Sequence, residues 1–304
     1  MGDAFSYSAG RQEKGHETTS AYGIDWNHPL DDHLSSDVAY YNQGHFQGHH
    51  RDGAGVSIWA NKELLPQLTV SAGAGPWAYC DTVIPGGGKP AQDAHGIGAM
   101  AGAAATWHAK NHMVFQLRAN YFTAKDSFST LSVVGSVGYE FGSGSDKGFD
   151  KFAGENPGAN SGKDNISVLT GETVVNTPGD VPSQAISVEY RRQLGHSLDL
   201  TVSGISEGNN KFAKRSGVAP ELWLRKDYLD DRLSLSVDAG VYAGVDQKKE
   251  KEEHRSNSFA AGIVSTSASY KLSDHWTARL TWHRPITSYN RDSDVVVAGI
   301  GYQF

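Results

Sequence analysis

Apolar and polar residues alternate along most of this chain, in runs of about 8 to 12 residues. Leu68, Val70, Ala72 and Ala74 share one side of such a run, with Thr69, Ser71, Gly73 and Gly75 on the other. Leu233, Leu235, Val237, Ala239 and Val241 likewise oppose Ser234, Ser236, Asp238, Gly240 and Tyr242. A period of two belongs to the β-strand, whose successive side chains point to opposite faces. Met113, Phe115, Leu117, Ala119 and Tyr121 face away from Gln116, Arg118 and Asn120, so charged groups stand in mid-strand on the polar face. Continued along the chain, the pattern predicts strands over 4–13, 18–27, 33–43, 53–62, 67–79, 95–108, 112–122 and 130–141. A second set follows over 164–175, 184–193, 197–206, 217–226, 232–245, 258–271, 275–284 and 294–304.

The two sets are copies of one another. Ser20 to Lys62 aligns without a gap on Gln184 to Lys226, placing Leu30 on Leu194, Gly44 on Gly208, Arg51 on Arg215 and Trp59 on Trp223. At a spacing one residue shorter, Val137-Gly-Tyr-Glu-Phe141 falls on Ile300-Gly-Tyr-Gln-Phe304. The expected organisation is a first eight-strand repeat over 1–142, a polar connector rich in Gly, Ser, Asn, Asp and Lys over 143–163, and a second repeat over 164–304. A unit this long is no solenoid module, which spans about 20 to 50 residues.

Connections alternate in character. Asn27–Asp32, Lys62–Pro66, His108–His112, Arg192–His196, Lys226–Asp231 and Lys271–His275 are tight, whereas Gly44–Gly53, Asp81–Asp93, Ser206–Ser216 and Asp246–Arg255 are longer and more polar. Trp26, Tyr40, Trp77, Tyr79, Trp107, Tyr121, Tyr139, Phe141, Tyr190, Tyr270, Trp276, Trp282, Tyr302 and Phe304 gather near strand ends. Short turns at one end, longer loops at the other and aromatic girdles are the plan of a transmembrane barrel. A soluble sandwich shows the same alternation with its polar face in water, so the pattern alone leaves that alternative open.

Composition narrows the field. The formal charge of −7, with no concentrated basic face, argues against a nucleic-acid partner. A single cysteine, Cys80, excludes an intrachain disulfide framework and a cysteine-based metal centre. No stretch approaches the roughly 18 to 20 apolar residues of a membrane-spanning helix. The opening Met-Gly-Asp-Ala-Phe-Ser-Tyr-Ser lacks a secretory signal, and the strand pattern favours reading it as a mature form.

The closing residues Val297-Ala-Gly-Ile-Gly-Tyr-Gln-Phe304 resemble the terminal strand of Gram-negative outer-membrane β-barrel proteins, and Val134-Gly-Ser-Val-Gly-Tyr-Glu-Phe141 is similar to the same signal. The resemblance implies an all-β, antiparallel up-and-down transmembrane β-barrel in the outer membrane, descended from a duplicated eight-stranded unit. It also implies contact with outer-membrane lipid and lipopolysaccharide, and recognition of Phe304 by the assembly machinery. Two closures are open: one barrel of about 16 strands with an aqueous lumen, or two tandem 8-stranded barrels filled by their own side chains. Chain length favours the single barrel.

On the polar face stand Asp25, Asp37, Trp59, Arg118, Glu189, Asp199, Trp223, Asp238, Arg279 and His283. In a wide barrel they line a water-filled path; in a narrow one they pair with each other to offset desolvation. The first reading is a porin-like pore or export conduit for small polar or saccharide solutes, without catalysis. The alternatives are a structural or lipid- or polysaccharide-binding barrel without conductance, and a lipid A-modifying hydrolase. His283 with Thr287 and Ser288 only loosely resembles the His/Ser arrangement of lipid A deacylases, since Arg284 and Pro285 break the spacing. No cofactor and no metal site is expected. His45, His49 and His50 form the best metal candidate, but the second copy keeps Asn209, Ala213 and Lys214 there, and the segment reads as a solvated loop.

Overall fold

The computed structural model describes residues 2–85, 92–141, 163–177, 180–195, 197–248 and 257–304. They fall in two units, Met1–Lys151 and Phe152–Phe304. The first holds β1 (Asp3–Lys14), β2 (Glu17–Pro29), β3 (Leu34–Phe46), β4 (His49–Leu65), β5 (Leu68–Val83), β6 (Gln92–His108), β7 (Met113–Ala124) and β8 (Thr130–Phe141). The second holds β9 (Asp164–Val175), β10 (Ser183–Gln193), β11 (Leu198–Asn209), β12 (Lys214–Tyr228), β13 (Leu233–Asp246), β14 (Ser258–Lys271), β15 (Trp276–Ile286) and β16 (Ser293–Gln303).

Each strand pairs antiparallel with the next, and each unit then closes on itself. β8 returns to β1, with Asp3 opposite Phe141 and Glu13 opposite Leu131. β16 returns to β9, with Ser293 opposite Val175 and Gln303 opposite Asn165. The chain is therefore two closed eight-stranded barrels, and the single sixteen-stranded barrel is corrected. The alternation of side chains is identical under either closure. What differs is the partner of β1: once β8 satisfies its free N–H and C=O groups, no edge remains for another strand.

Both barrels are apolar outside, and within they mix polar and charged side chains with buried apolar clusters. Leu117 is 61% exposed and Val168 56%, whereas Ser8, Gln12, Asp25, Ser167, Glu189 and Asp199 are buried. Such a belt of outward aliphatic side chains needs a non-aqueous surround. Trp107, Tyr139, Tyr190, Tyr270, Trp276 and Tyr302 stand outward near the tight-turn ends, where Tyr139 packs edge-on against Phe141 at 5.0 Å. Trp77 and Tyr79 do not belong to that girdle: they share the inward face of β5 with Thr69, at 0% and 3% exposure. Closeness to a strand end does not set the side of the sheet; parity does.

Two segments expected to be long loops are mostly strand. β3 runs to Phe46 and β4 starts at His49, leaving only Gln47 and Gly48 as the turn, and β11 runs to Asn209 before β12 starts at Lys214. Each hairpin carries a bulge, between Asn42 and His45 and between Ser206 and Asn209, that resets the alternation and hides the strand. Gly44 and Gly208 take φ of 67° and 75° there, and a Cβ on Gly44 would lie 2.1 Å from the Ser20 carbonyl oxygen. Apart from Lys163, the expected connector lies outside the described residues.

Closure of β1 on β8 predicts a cross-link. In a Cys80→Ser background, Ser8→Cys with Ser136→Cys places thiols on directly opposed residues, within disulfide reach. Oxidation is expected to shift the chain on a non-reducing gel; in a sixteen-stranded ring β1 would lie against β16 and no shift would occur.

Candidate functional site

Eight strands enclose an interior just wide enough for side chains, and the described residues fill it. At the end away from the tight turns, Arg51 on β4 reaches across the ring. Its Nη2 donates to Thr130 Oγ1 on β8 at 3.1 Å, its Nε to Gln43 Oε1 at 2.7 Å, and its Nη1 to Ser127 Oγ at 2.9 Å and to the Phe128 carbonyl. The guanidinium stacks 3.9 Å from the Phe128 ring centroid and 4.9 Å from that of Trp77. In a closed ring of eight, β4 and β8 lie opposite, so this side chain spans the lumen.

The second barrel repeats the device. Arg215 on β12 donates to Ser293 Oγ on β16 at 2.7 Å, to Glu207 Oε2 at 2.5 Å and to the Arg291 carbonyl at 2.5 Å. Ser293 also donates to Glu207 at 2.7 Å, and Tyr289 donates to buried Asp246 at 3.2 Å. Arg51, Gln43, Arg215 and Glu207 are not among the polar-face residues that the alternation picks out. The signal was present, since the repeat superposes Arg51 on Arg215 without a gap.

Below this plug the barrels differ. In the first, Arg118 on β7 pairs with Asp37 on the opposite strand β3 at 2.7 Å and donates to Tyr41 Oη at 2.6 Å and Asn120 Oδ1 at 2.9 Å. Its guanidinium lies 4.3 Å from the Trp59 ring centroid, and Asp25, bonded to Ser6, sits in the same cluster. In the second, Glu189 lies between Arg191, at 3.2 Å, and Arg279, while Asp199 pairs with Arg191 at 3.3 Å and Arg225 at 3.2 Å. Arg191 stacks 4.4 Å from the Trp223 ring centroid. Asp238, the register partner of Trp223, is half-buried beside Glu221. The ten residues thus divide between two interiors, Asp25, Asp37, Trp59 and Arg118 in one and the other six in the second.

His283 is fully buried, with Nδ1 2.8 Å from Ser265 Oγ and 3.4 Å from Glu221 Oε1. A hydrolytic triad sets serine and acid on opposite ring nitrogens; here both address the same one. Glu221 also accepts from Thr201 and Ser203 at 3.1 Å, and Thr287 is bonded to Asp292 at 3.2 Å. Each barrel keeps a small cavity at its tight-turn end, about 50 Å³ beside Asp37, Trp59 and Arg118 in the first and about 120 Å³ beside Arg191, Asp199 and Arg225 in the second. Volumes of this size would accommodate a few water molecules.

No protein-family model matches the chain, and no curated protein matches it. Among solved structures, it is similar to the N-terminal β-barrel domain of Pseudomonas aeruginosa OprF, at 14% identity over 45% of this chain and 97% of that one, with a TM-score of 0.38. Neisserial surface protein A matches at 12% identity over 46% and 96%, TM-score 0.38. The NanC porin matches at 8% identity over 99% and 100%, TM-score 0.22. The architecture itself rests on the strand pairing described above.

The plugs yield an unequal pair of mutational effects. Arg215→Met strands the Glu207 carboxylate in the interior and is expected to cost about 3–5 kcal/mol. Arg51→Met gives up neutral hydrogen-bond acceptors and an electrostatic contact with Asp81, which keeps His49 and Ser127 as partners, and is expected to cost about 1–3 kcal/mol. Adding Glu207→Gln to Arg215→Met should recover part of the loss. Urea unfolding in lipid vesicles measures all three.

Proposed function

We propose that this chain works as a pair of outer-membrane barrels closed to ions, a structural or envelope-binding protein rather than a pore. The observation that carries this reading is the arginine bonded across each lumen, Arg51 from β4 to β8 and Arg215 from β12 to β16. A solute would have to break a buried guanidinium away from its acceptors, and in the first barrel from the rings of Phe128 and Trp77 as well. The Arg118–Asp37 pair and the Glu189, Arg191, Arg279 cluster add a second barrier below.

Support for the location comes from the exterior. Outward aliphatic side chains such as Ile24, Ile58, Leu224 and Ile300 offer lipid-facing surface around both barrels, and among the described residues no helix is long and apolar enough to cross a membrane. Phe304, which follows β16, is exposed as well. Lipid is then the solvent of the outer wall, and lipopolysaccharide the neighbour of the outer leaflet. The loop ends, not the lumens, carry any further recognition.

Single-channel recording in a planar bilayer tests this. Verified insertion without conductance steps is expected; steps of porin size would overturn the closed reading and restore a conduit.

A further inference from the structure

We propose that His45 and His50 form a binding site for a divalent transition-metal ion, Zn²⁺ or Cu²⁺, on the loop-end hairpin of the first barrel. The site is built by the backbone. The bulge at Gly44 inserts one extra residue into β3, and the register beyond it sets His45 directly opposite His50 and Phe46 opposite His49. The two imidazoles meet across the hairpin with Nδ1 atoms 3.2 Å apart and ring centroids 4.2 Å apart, tilted by 35°. Two nitrogens at that separation, each about 2.0–2.1 Å from one ion, subtend about 100° at the metal, between the square-planar and tetrahedral angles. His45 is exposed, so water can complete the coordination shell.

The third histidine of the cluster is excluded by the same register. His49 Nδ1 lies 3.0 Å from both carboxylate oxygens of buried Asp81, and its ring packs on Phe128. Metallation at Nδ1 leaves the His50 ring proton on Nε2, so the 3.4 Å contact from there to Asn42 Nδ2 must open slightly. The second barrel supplies an internal control. Its hairpin repeats the bulge and the left-handed glycine, Gly208, but the opposed pair is Asn209 and Lys214. An amide and an ammonium offer no comparable ligand.

An imidazole pair 3.2 Å apart is also compatible with an N–H···N hydrogen bond, and metal titration separates the two. ZnCl₂ and CuCl₂ are titrated calorimetrically into the full chain folded in detergent micelles, with heat-modifiable gel mobility confirming the fold of every variant. His45→Ala and His50→Ala are each expected to weaken the site about tenfold or more, while His49→Ala keeps it. Asn209→His with Lys214→His is expected to add a second equivalent, which keeps the proposal testable where an alanine variant misfolds. Unchanged binding in His45→Ala and His50→Ala, equal loss in His49→Ala, or no added equivalent in the second barrel would overturn it.

Discussion

Closure at eight strands is the constraint on which the rest of the molecule depends. A β-sheet surrounded by apolar material cannot leave an edge unpaired, because nothing outside it can accept the hydrogen bonds. Pairing β1 with β8 and β9 with β16 removes both edges within each copy. The number of strands then fixes the bore, and the bore fixes what an inward side chain can touch. Arg51 finds Thr130 on the far wall, and Arg118 finds Asp37. In a wider ring the same residues would end in water.

Within so narrow a space arginine suits the crossing role better than lysine. Its planar fork directs several donors at fixed angles and stacks on aromatic faces. Arg51 and Arg118 each combine hydrogen bonds with ring contacts, on Phe128 and Trp77 in one case and on Trp59 and Tyr41 in the other. The inward tryptophans are thus part of the polar network. The indole of Trp59 donates to Ser57 at 2.8 Å and that of Trp223 to Thr201 at 3.0 Å. Each interior is a mixed lattice of charge, hydroxyl and ring, with buried apolar side chains such as Met100 in one and Leu169, Ile205 and Ile263 in the other.

Strand parity was the most legible layer of the sequence, because a period of two assigns every residue to a face without knowledge of its partner. Asp25, Asp37, Arg118, Glu189, Asp199, Arg279 and His283 are inward as their alternation indicates. Closure was not legible, since strand-forming patterns say nothing about which strand meets β1. The His45 hairpin was missed for a related reason: a bulge shifts the phase, so Gly44 to Gly53 reads as aperiodic while pairing as strand. Trp77 was placed by its nearness to a strand end, although it shares parity with Thr69. Arg51 and Arg215 were visible only as aligned positions, and their role depends on a distance across the ring.

The paired strands that shut each ring are separated by the same stretch of chain in both copies, Asp3 to Phe141 and Asn165 to Gln303. Each copy therefore closes on itself without a strand from the other. A change of charge inside one lumen is answered by a neighbour in that lumen or not at all, so the two interiors are free to differ while both rings keep eight strands. That is the pattern found: Asn120 occupies in one copy the position that His283 takes in the other, and Ser57 the position of Glu221, yet Arg51 and Arg215 still cross the same gap.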